Sequence, residues 1–423
     1  MNPLQFGFRK KYSTQDALLY FTESIRKELD SKKIVHAALL DLSKAFDSIS
    51  HNKLLQKLSS LGFDENAKQM ICSFLTDRYQ RVNVNGCFSS WYNVKRGVPQ
   101  GTVLGPLLFN LYVNDLNRSL QDNTNLIQYA DDCVIFSADY QSNVAKHNLQ
   151  ISIDKFIQYF HSHELNLNAA KTEYICFAKN NDPRNDPSDQ ITVGQTRIGK
   201  KSECKYLGIL IDSSLSFEGQ VKKILQKMAI GIKAIDSIRH QLPTKSLVML
   251  LNSLVLSHLD YSSIIISQVS FSLLSSLERQ MNWGIKRTYY RSSIKSSSGL
   301  RKSKNIICVN QRFSLKSITY LINYIHGEKA AFSKSLKLPS AKYHINKRTR
   351  KIIFEDHRSS AFLGKSFFHS TAMKWNSLPT NIRAKFLNPV KLKSILHEHY
   401  LKQNIENPPN FSKCTWKDFR FIV

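Results

Sequence analysis

Three aspartates stand where apolar segments of strand length end, and this placement constrains the fold more than any other feature of the sequence. The apolar run Ile34–Leu40 ends directly before Asp41. Much later in the chain, two shorter apolar runs flank the sequence Ala-Asp-Asp, which places Asp131 and Asp132 side by side. The first run predicts a buried strand, and the later pair predicts a β-hairpin with two carboxylates at its tip. The chain is therefore expected to contain a sheet that carries acidic side chains at strand ends.

These carboxylates are the kind of ligand that a divalent metal ion needs. Mg²⁺ takes oxygen ligands and is often held by one or two carboxylates together with substrate phosphates. Two such ions about 3.5–4 Å apart can clamp the attacking and leaving oxygens of a phosphoryl transfer. Asp41, Asp131 and Asp132 are candidates for this role. An aspartate pair in a turn is a weak signal alone, because aspartate also favours turns for local hydrogen bonding.

The other patterns predict a mixed α+β chain. Apolar residues at helical spacing before Gly62 predict a short amphipathic helix, and Asn85-Gly86 between two strand-like segments predicts a second hairpin. The apolar segment that follows Gly101 reads as a helix extending to Leu116. Cys204–Ile211 reads as one strand, and beyond about residue 215 the apolar spacing is mainly helical.

Charge divides the chain into two different halves. Residues 1–220 hold 25 basic and 23 acidic side chains, whereas residues 221–423 hold 35 basic and 9 acidic ones. The segment 279–327 contains ten Lys or Arg residues and no Asp or Glu. Cations interleaved with aromatic rings favour binding to single-stranded nucleic acid, although we expect half of these rings to belong to the core. The aromatic residues of this segment are Trp283, Tyr289, Tyr290, Phe313, Tyr320 and Tyr324.

Cysteine usage and hydropathy indicate the compartment. Seven scattered cysteines without a Cys-x-x-Cys pair argue against a disulfide framework and a zinc site, and they fit a reducing compartment. No apolar stretch approaches the roughly 20 residues that span a bilayer, and no secretory signal opens the chain. We therefore expect no membrane partner and a location in the nucleus, the cytoplasm or both.

Six ordered sequence blocks resemble the reverse transcriptases of jockey-type non-LTR retrotransposons. The most informative block is Tyr129-Ala130-Asp131-Asp132, which contains the aspartate pair. Six blocks in family order are far more specific than one acidic pair, and they cover about half of the chain. In chain order, they lie at residues 5–14, 41–47, 96–107, 129–132, 167–172 and 205–209.

The resemblance implies an α+β right-hand polymerase with partial fingers, a palm with an antiparallel sheet, a helical thumb and a mainly helical basic C-terminal region. We expect fingers and palm in residues 1–212, the thumb in 213–291, and a nucleic-acid-binding region in 292–423 that opens on a Ser-rich linker. The implied activity is RNA-directed DNA polymerisation with an RNA template, a DNA primer or target, and dNTPs. The implied cofactors are two Mg²⁺ ions, for which Mn²⁺ can substitute. No oligomeric state follows.

The resemblance also assigns individual roles. It places Asp41, Asp131 and Asp132 on the metal ions, and Lys171 as the acid that protonates the leaving pyrophosphate. Phe46 would wall off a 2′-hydroxyl, the group by which RNA and DNA are distinguished. The residues implied to contact the incoming nucleotide are Arg9, Lys10, Phe46, Gln100, Gly101 and Tyr129, and those implied to hold the primer 3′ end are Tyr206, Leu207 and Gly208.

Three alternatives stay open at this point. The chain begins almost at its first matching block, so we expect incomplete fingers, no endonuclease domain and uncertain activity. A truncated remnant that only binds RNA through residues 221–423 is therefore the non-enzymatic alternative. An intron-type maturase and an RNA-directed RNA polymerase are the enzymatic alternatives, because both share the palm.

Overall fold

A computed structural model of the chain describes residues 1–179, 182–294, 296–326, 343–354, 366–387 and 389–406. The chain divides into two compact units. The first unit consists of residues 1–17 and 31–207, and the second of residues 18–30 and 208–423. Helix α1 (Thr14–Asp30) contributes to both units. The division at 212 and 291 that the sequence suggests stays a prediction.

The first unit is built on a mainly antiparallel sheet with helices packed on it. Its strands are β1 (Ile34–Leu40), β2 (Tyr79–Gln80), β3 (Asn83–Val84), β4 (Cys87–Phe88), β5 (Tyr92–Asn93), β6 (Thr124–Tyr129), β7 (Asp132–Asp139), β8 (Glu173–Phe177), β9 (Gln190–Val193), β10 (Thr196–Lys201) and β11 (Glu203–Tyr206). Its helices are α2 (His51–Ser60), α3 (Glu65–Leu75), α4 (Leu104–Tyr112) and α5 (Ser142–Ser162).

Six of these strands form the main sheet in the order β6-β7-β1-β8-β10-β9. All of its pairs are antiparallel except β8 with β10. The central strand β1 is buried along its whole length, as a continuous apolar run predicts for a strand that is covered on both faces. Helix α5 packs against β1 and β7 and buries Leu149, Ile153 and Phe156.

Both predicted hairpins are confirmed. Strand β6 pairs with β7 so that Tyr129 faces Asp132, which leaves Ala130 and Asp131 as a two-residue turn. Strand β3 pairs with β4 around Asn85 and Gly86, whose φ angles are both positive, as the tight turns of hairpins require. The predicted helix before Gly62 is α2.

Two local predictions were wrong. Cys204–Ile211 is not one strand: β11 ends at Tyr206, and β12 (Ile209–Asp212) begins after a reversal at Leu207 and Gly208. Both reversal residues have positive φ angles, 44° and 83°, which no strand residue adopts. The helix after Gly101 is shorter than expected, because α4 ends at Tyr112 and a separate 3₁₀ turn occupies Leu116–Ser119.

The second unit is mainly helical, as the sequence predicts beyond residue 215. After β12, its helices are α6 (Glu218–Ile238), α7 (Thr244–Leu251), α8 (Ser257–Ser262), α9 (Phe271–Thr288), α10 (Ser297–Ser303), α11 (Val309–Ile325), α12 (Phe367–Asn376), α13 (Thr380–Arg383) and α14 (Pro389–Glu406). A short strand pair joins β13 (Tyr343–Ile345) to β14 (Ile352–Phe354). Among the described helices, none combines the length and the apolar character that crossing a membrane demands.

Buried polar contacts hold the helices of the second unit together. Glu278 of α9 forms an ion pair with Arg301 of α10 and accepts a hydrogen bond from the backbone N–H of Val309, 2.7 Å away. The expected Ser-rich linker at 292–303 thus contains a helix that is tied to its neighbours. Glu23 of α1 accepts hydrogen bonds from Ser366 Oγ at 2.5 Å and from Phe367 N at 3.0 Å, and the second of these satisfies a backbone N–H at the start of α12.

Candidate active site

The sheet register brings Asp41 beside the acidic turn. Leu40 at the end of β1 pairs with Cys133 of β7, so Asp41 follows directly where β7 begins at Asp132. The backbone of Asp41 is fixed by the block at 167–172, because its carbonyl accepts a hydrogen bond from the N–H of Asn168 at 2.8 Å. Three distant sequence blocks therefore meet at one end of the sheet.

Burial and mutual repulsion shape the electrostatics of the turn. Burial raises the pKa of Asp131, and the negative charge of Asp41 raises it further, while Lys171 opposes the increase. Asp132 keeps solvent access, but partial burial of its carboxylate raises its pKa to about 6. The charges of Asp131 and Asp41 contribute to the same increase. A cation among these groups would relieve both effects, since it stabilises the ionised carboxylates.

The donor set fits a hard divalent cation. Asp41 Oδ2 is buried and has no hydrogen-bond partner within the described part of the chain. Lys171 Nζ lies 3.6 Å from that oxygen, beyond hydrogen-bond distance. Among the residues that the structure describes, no group of three or more His, Cys, Asp or Glu side chains is arranged so that it could hold a metal ion. Asp41, Asp131 and Asp132 thus offer oxygen ligands of the type that Mg²⁺ takes together with substrate phosphates, but they do not form a metal site by themselves.

Phe46 lies between the core and the surface near the start of α2. It belongs to a 3₁₀ turn, Ala45–Asp47, which follows Lys44 in the left-handed conformation. Its ring stacks on Phe109 with centroids 4.5 Å apart and meets the exposed ring of Phe8 edge-on at 6.2 Å. The side chain is half-buried, so it combines a packed face with an accessible one.

The block at 96–101 packs directly against the Phe46 turn. Gln100 Nε2 donates a hydrogen bond to Asp47 Oδ1 at 2.8 Å, and the backbone N–H of Gly97 donates to Ile49 O at 2.8 Å. A Cβ at Gly97 would lie 2.7 Å from the Cα of Asp47, so only glycine permits this approach. The structure thus brings two predicted nucleotide-contacting residues, Phe46 and Gln100, into one cluster. No sequence signal identified Asp47 as the residue that links them.

Arg9 is engaged within its own loop. Its Nη1 donates hydrogen bonds to the carbonyls of Asn2 and Gln5 at 2.8 and 2.9 Å, and its guanidinium lies 4.1 Å from the ring centroid of Tyr12. Lys10 beside it is exposed. Arg9 therefore holds the N-terminal segment together, a role that the sequence did not reveal because its acceptors are backbone carbonyls.

The predicted primer-binding residues begin close to the acidic turn. Tyr206 is buried, and its pKa is raised well above the usual value by burial first and then by the charge of Asp132. Tyr129 contributes to the same shift, so both tyrosines lie near the aspartate pair. Leu207 is the last residue of the first unit, and Gly208 begins the longer of the two segments that form the second.

The sheet brings three carboxylates close to one hairpin turn. A helix packs on this sheet, and a turn that contains two glycines lies nearby. This arrangement is the palm of a right-hand polymerase. Residues 1–211, about half of the chain, match the family model described as reverse transcriptase (RNA-dependent DNA polymerase). The chain belongs to this family, whose members use divalent metal ions.

The relatives identify the branch of the family. The RNA-directed DNA polymerases from mobile element jockey of Drosophila melanogaster and Drosophila funebris are 29% and 31% identical over 228 and 226 residues. The probable RNA-directed DNA polymerase from transposon X-element of Drosophila melanogaster is 30% identical over 232 residues. Each alignment covers 52–53% of this chain, and the chain spans about a quarter (24%) of the length of each relative. The predicted resemblance to jockey-type reverse transcriptases is confirmed.

Proposed function

We propose that this chain is an RNA-directed DNA polymerase that extends a primer 3′-hydroxyl with dNTPs on an RNA template. The observation that carries the proposal is the meeting of Asp41, Asp131 and Asp132 at one end of the sheet, within the segment that matches the family. The six free cysteines of the described chain are consistent with a location in the nucleus or cytoplasm.

Two Mg²⁺ ions, or Mn²⁺ in their place, would be held by Asp41, Asp131 and Asp132. When bound, the ions would supply charge stabilisation for the attacking and leaving oxygens. Lys171 carries its ammonium group 3.6 Å from Asp41 on an otherwise exposed side chain. It would hold the proton that the leaving pyrophosphate takes up.

The residues around the turn would bind and orient the incoming nucleotide. Phe46 would present its accessible face to the sugar, and Gln100 with Gly101 would approach the nucleotide from the neighbouring turn. Arg9 keeps guanidinium donors beyond the one nitrogen that folds its loop, and these with Lys10 would contact phosphate oxygens. The residues completing the proposed site are Tyr129 for the nucleotide, and Tyr206, Leu207 and Gly208 for the primer end.

The basic second unit offers a surface for template or primer. Of the six aromatic residues between 279 and 327, Phe313, Tyr320 and Tyr324 are buried. The other three are partly exposed, and each has a cation within 6 Å of its ring centroid. The ring–cation pairs are Trp283 with Arg287, Tyr289 with Lys304, and Tyr290 with Arg239 and Arg291. Rings and cations together suit single-stranded nucleic acid.

Neutralising this surface is expected to weaken RNA binding and to flatten its salt dependence. The triple variant Arg287→Gln, Arg291→Gln, Lys304→Gln should reduce the slope of log K against log salt by up to about 2, since each phosphate contact with a single strand contributes about 0.7. Filter binding of a single-stranded RNA across a salt series measures this. The matched control neutralises three lysines of the first unit, Lys32, Lys68 and Lys179. An equal loss of slope in both variants would refute a specific surface here.

Primer extension tests the proposed activity directly. The purified chain with Mg²⁺, dNTPs and a DNA primer annealed to RNA should add deoxynucleotides, and EDTA should stop the addition. Parallel reactions with ribonucleotides test the RNA polymerase alternative. RNA binding without extension under any of these conditions would favour the non-enzymatic remnant instead.

A further inference from the structure

The acidic turn contains a residue in an unfavourable backbone conformation. Ala130 has a φ angle of +57° and is buried, at the first position of the two-residue turn between β6 and β7. Asp131, at the second position, does not share the positive φ angle. A positive φ at the first position alone is the pattern of a type II′ turn, in which glycine is the usual residue. The surroundings must therefore hold Ala130 in place.

One side chain binds both backbone groups of this alanine. Gln5 Oε1 accepts a hydrogen bond from the N–H of Ala130 at 2.9 Å, and Gln5 Nε2 donates to the carbonyl of Ala130 at 3.4 Å. The same Oε1 accepts a second bond from the N–H of Gly7 at 2.8 Å. Gln5 is 2% exposed, so these hydrogen bonds are shielded from water.

The segment around Gln5 is itself fixed against β6. Backbone hydrogen bonds join Phe6 N to Gln128 O at 2.8 Å and Gln128 N to Leu4 O at 2.9 Å. Asn110 Nδ2 of α4 donates to the carbonyl of Gly7 at 2.9 Å. A Cβ added at Gly7 would lie 2.4 Å from the nitrogen of Ala130, so the segment and the turn are in direct backbone contact.

We infer that Gln5 is a positioning residue of the active site. By binding the N–H and carbonyl of Ala130, it holds the turn in the conformation that sets the directions of Asp131 and Asp132. This inference rests on the proposed function only in so far as those carboxylates bind metal ions. The positioning of the turn is a separate claim about the chain.

The variant Gln5→Met tests the role, because methionine keeps the shape and apolar packing of the side chain but removes its hydrogen bonds. The amide proton of Ala130 should exchange with solvent about 10- to 100-fold faster, since its buried acceptor is lost. The affinity for Mn²⁺, measured by electron paramagnetic resonance of the free ion, should fall by a similar factor. The kcat for primer extension should fall with it, while the KM for dNTP stays near the wild-type value.

The rescue variant separates positioning from general destabilisation. Glycine tolerates a positive φ angle, so Gln5→Met combined with Ala130→Gly should recover part of the Mn²⁺ affinity and of kcat. Gln128→Met removes another buried amide, one that accepts a hydrogen bond from Asn2, and should leave both quantities unchanged. Gly7→Ala should instead displace the turn by contact and reduce Mn²⁺ affinity even with Gln5 intact.

The outcomes distinguish the two proposals. If the wild-type chain neither binds Mn²⁺ nor extends a primer, the proposed function fails, and exchange of the Ala130 amide still decides the role of Gln5. An exchange rate of the Ala130 amide proton in Gln5→Met that equals the wild-type rate overturns the inference. So does an equal loss of Mn²⁺ affinity in Gln5→Met and Gln128→Met, or the absence of any rescue by Ala130→Gly.

Discussion

Asp131→Asn and Asp132→Asn are each expected to reduce primer extension by about 10³-fold or more while the protein still folds. Asparagine preserves the shape of the side chain but removes the charge on which metal binding depends. Bound metal ions contribute several kcal/mol of charge stabilisation to phosphoryl transfer, and each 1.36 kcal/mol corresponds to a tenfold change in rate. Single-nucleotide extension under saturating Mg²⁺ and dNTP measures the loss.

The electrostatics of the turn predict the opposite effect on stability. Burial raises the pKa of Asp132 first, and the charges of Asp131 and Asp41 raise it further, so the ionised carboxylates are unfavourable there in the absence of a cation. Either asparagine variant should therefore unfold at the same temperature as the wild type or a higher one when no metal is present. Thermal unfolding in EDTA measures this.

Asp139→Asn is the matched control for both measurements. Asp139 ends the same strand, β7, and its carboxylate accepts a hydrogen bond from Gln141 N at 2.9 Å. Its substitution should leave extension unchanged. Wild-type extension by both Asp131→Asn and Asp132→Asn would remove the aspartate pair from the chemistry.

The parts of the fold that local signals specify were predicted correctly. A continuous apolar run predicts β1, and Asn85-Gly86 predicts its hairpin, because a buried strand and a tight turn each follow from adjacent residues. The turn at Leu207 and Gly208 was missed because leucine with a positive φ angle is rare and its apolar neighbours resemble one strand. No pattern in the neighbouring residues indicates this turn.

The contacts that surround the candidate active site follow from no local sequence pattern. Gln5 and Ala130 are 125 residues apart, and Gln100 and Asp47 are 53 apart. Motif resemblance predicted which carboxylates would matter, but it could not show that Gln5 binds the turn or that Arg9 folds its own loop. The contact between Gln5 and Ala130 joins residues that are adjacent only because the N-terminal segment pairs with β6.

Phe46→Ala is expected to admit ribonucleotides. If the accessible face of the ring blocks a 2′-hydroxyl, a steric barrier of about 1–3 kcal/mol disappears, so discrimination against ribonucleotides should fall by about 10- to 100-fold. The measurement is the ratio of kcat/KM for a dNTP to that for the matching rNTP. Removal of the ring also leaves a space beside Phe109, so the variant should lose up to about 3 kcal/mol of stability.

The packing role and the proposed gating role of Phe46 can be separated by two further variants. Phe46→Leu keeps more of the contact with Phe109 than alanine does, so it should restore stability while leaving part of the discrimination lost. Phe8→Ala removes an exposed ring that meets Phe46 only at its edge, and it should preserve discrimination. If Phe46→Ala folds and still selects dNTPs as the wild type does, the ring serves the core alone and another group must exclude the 2′-hydroxyl.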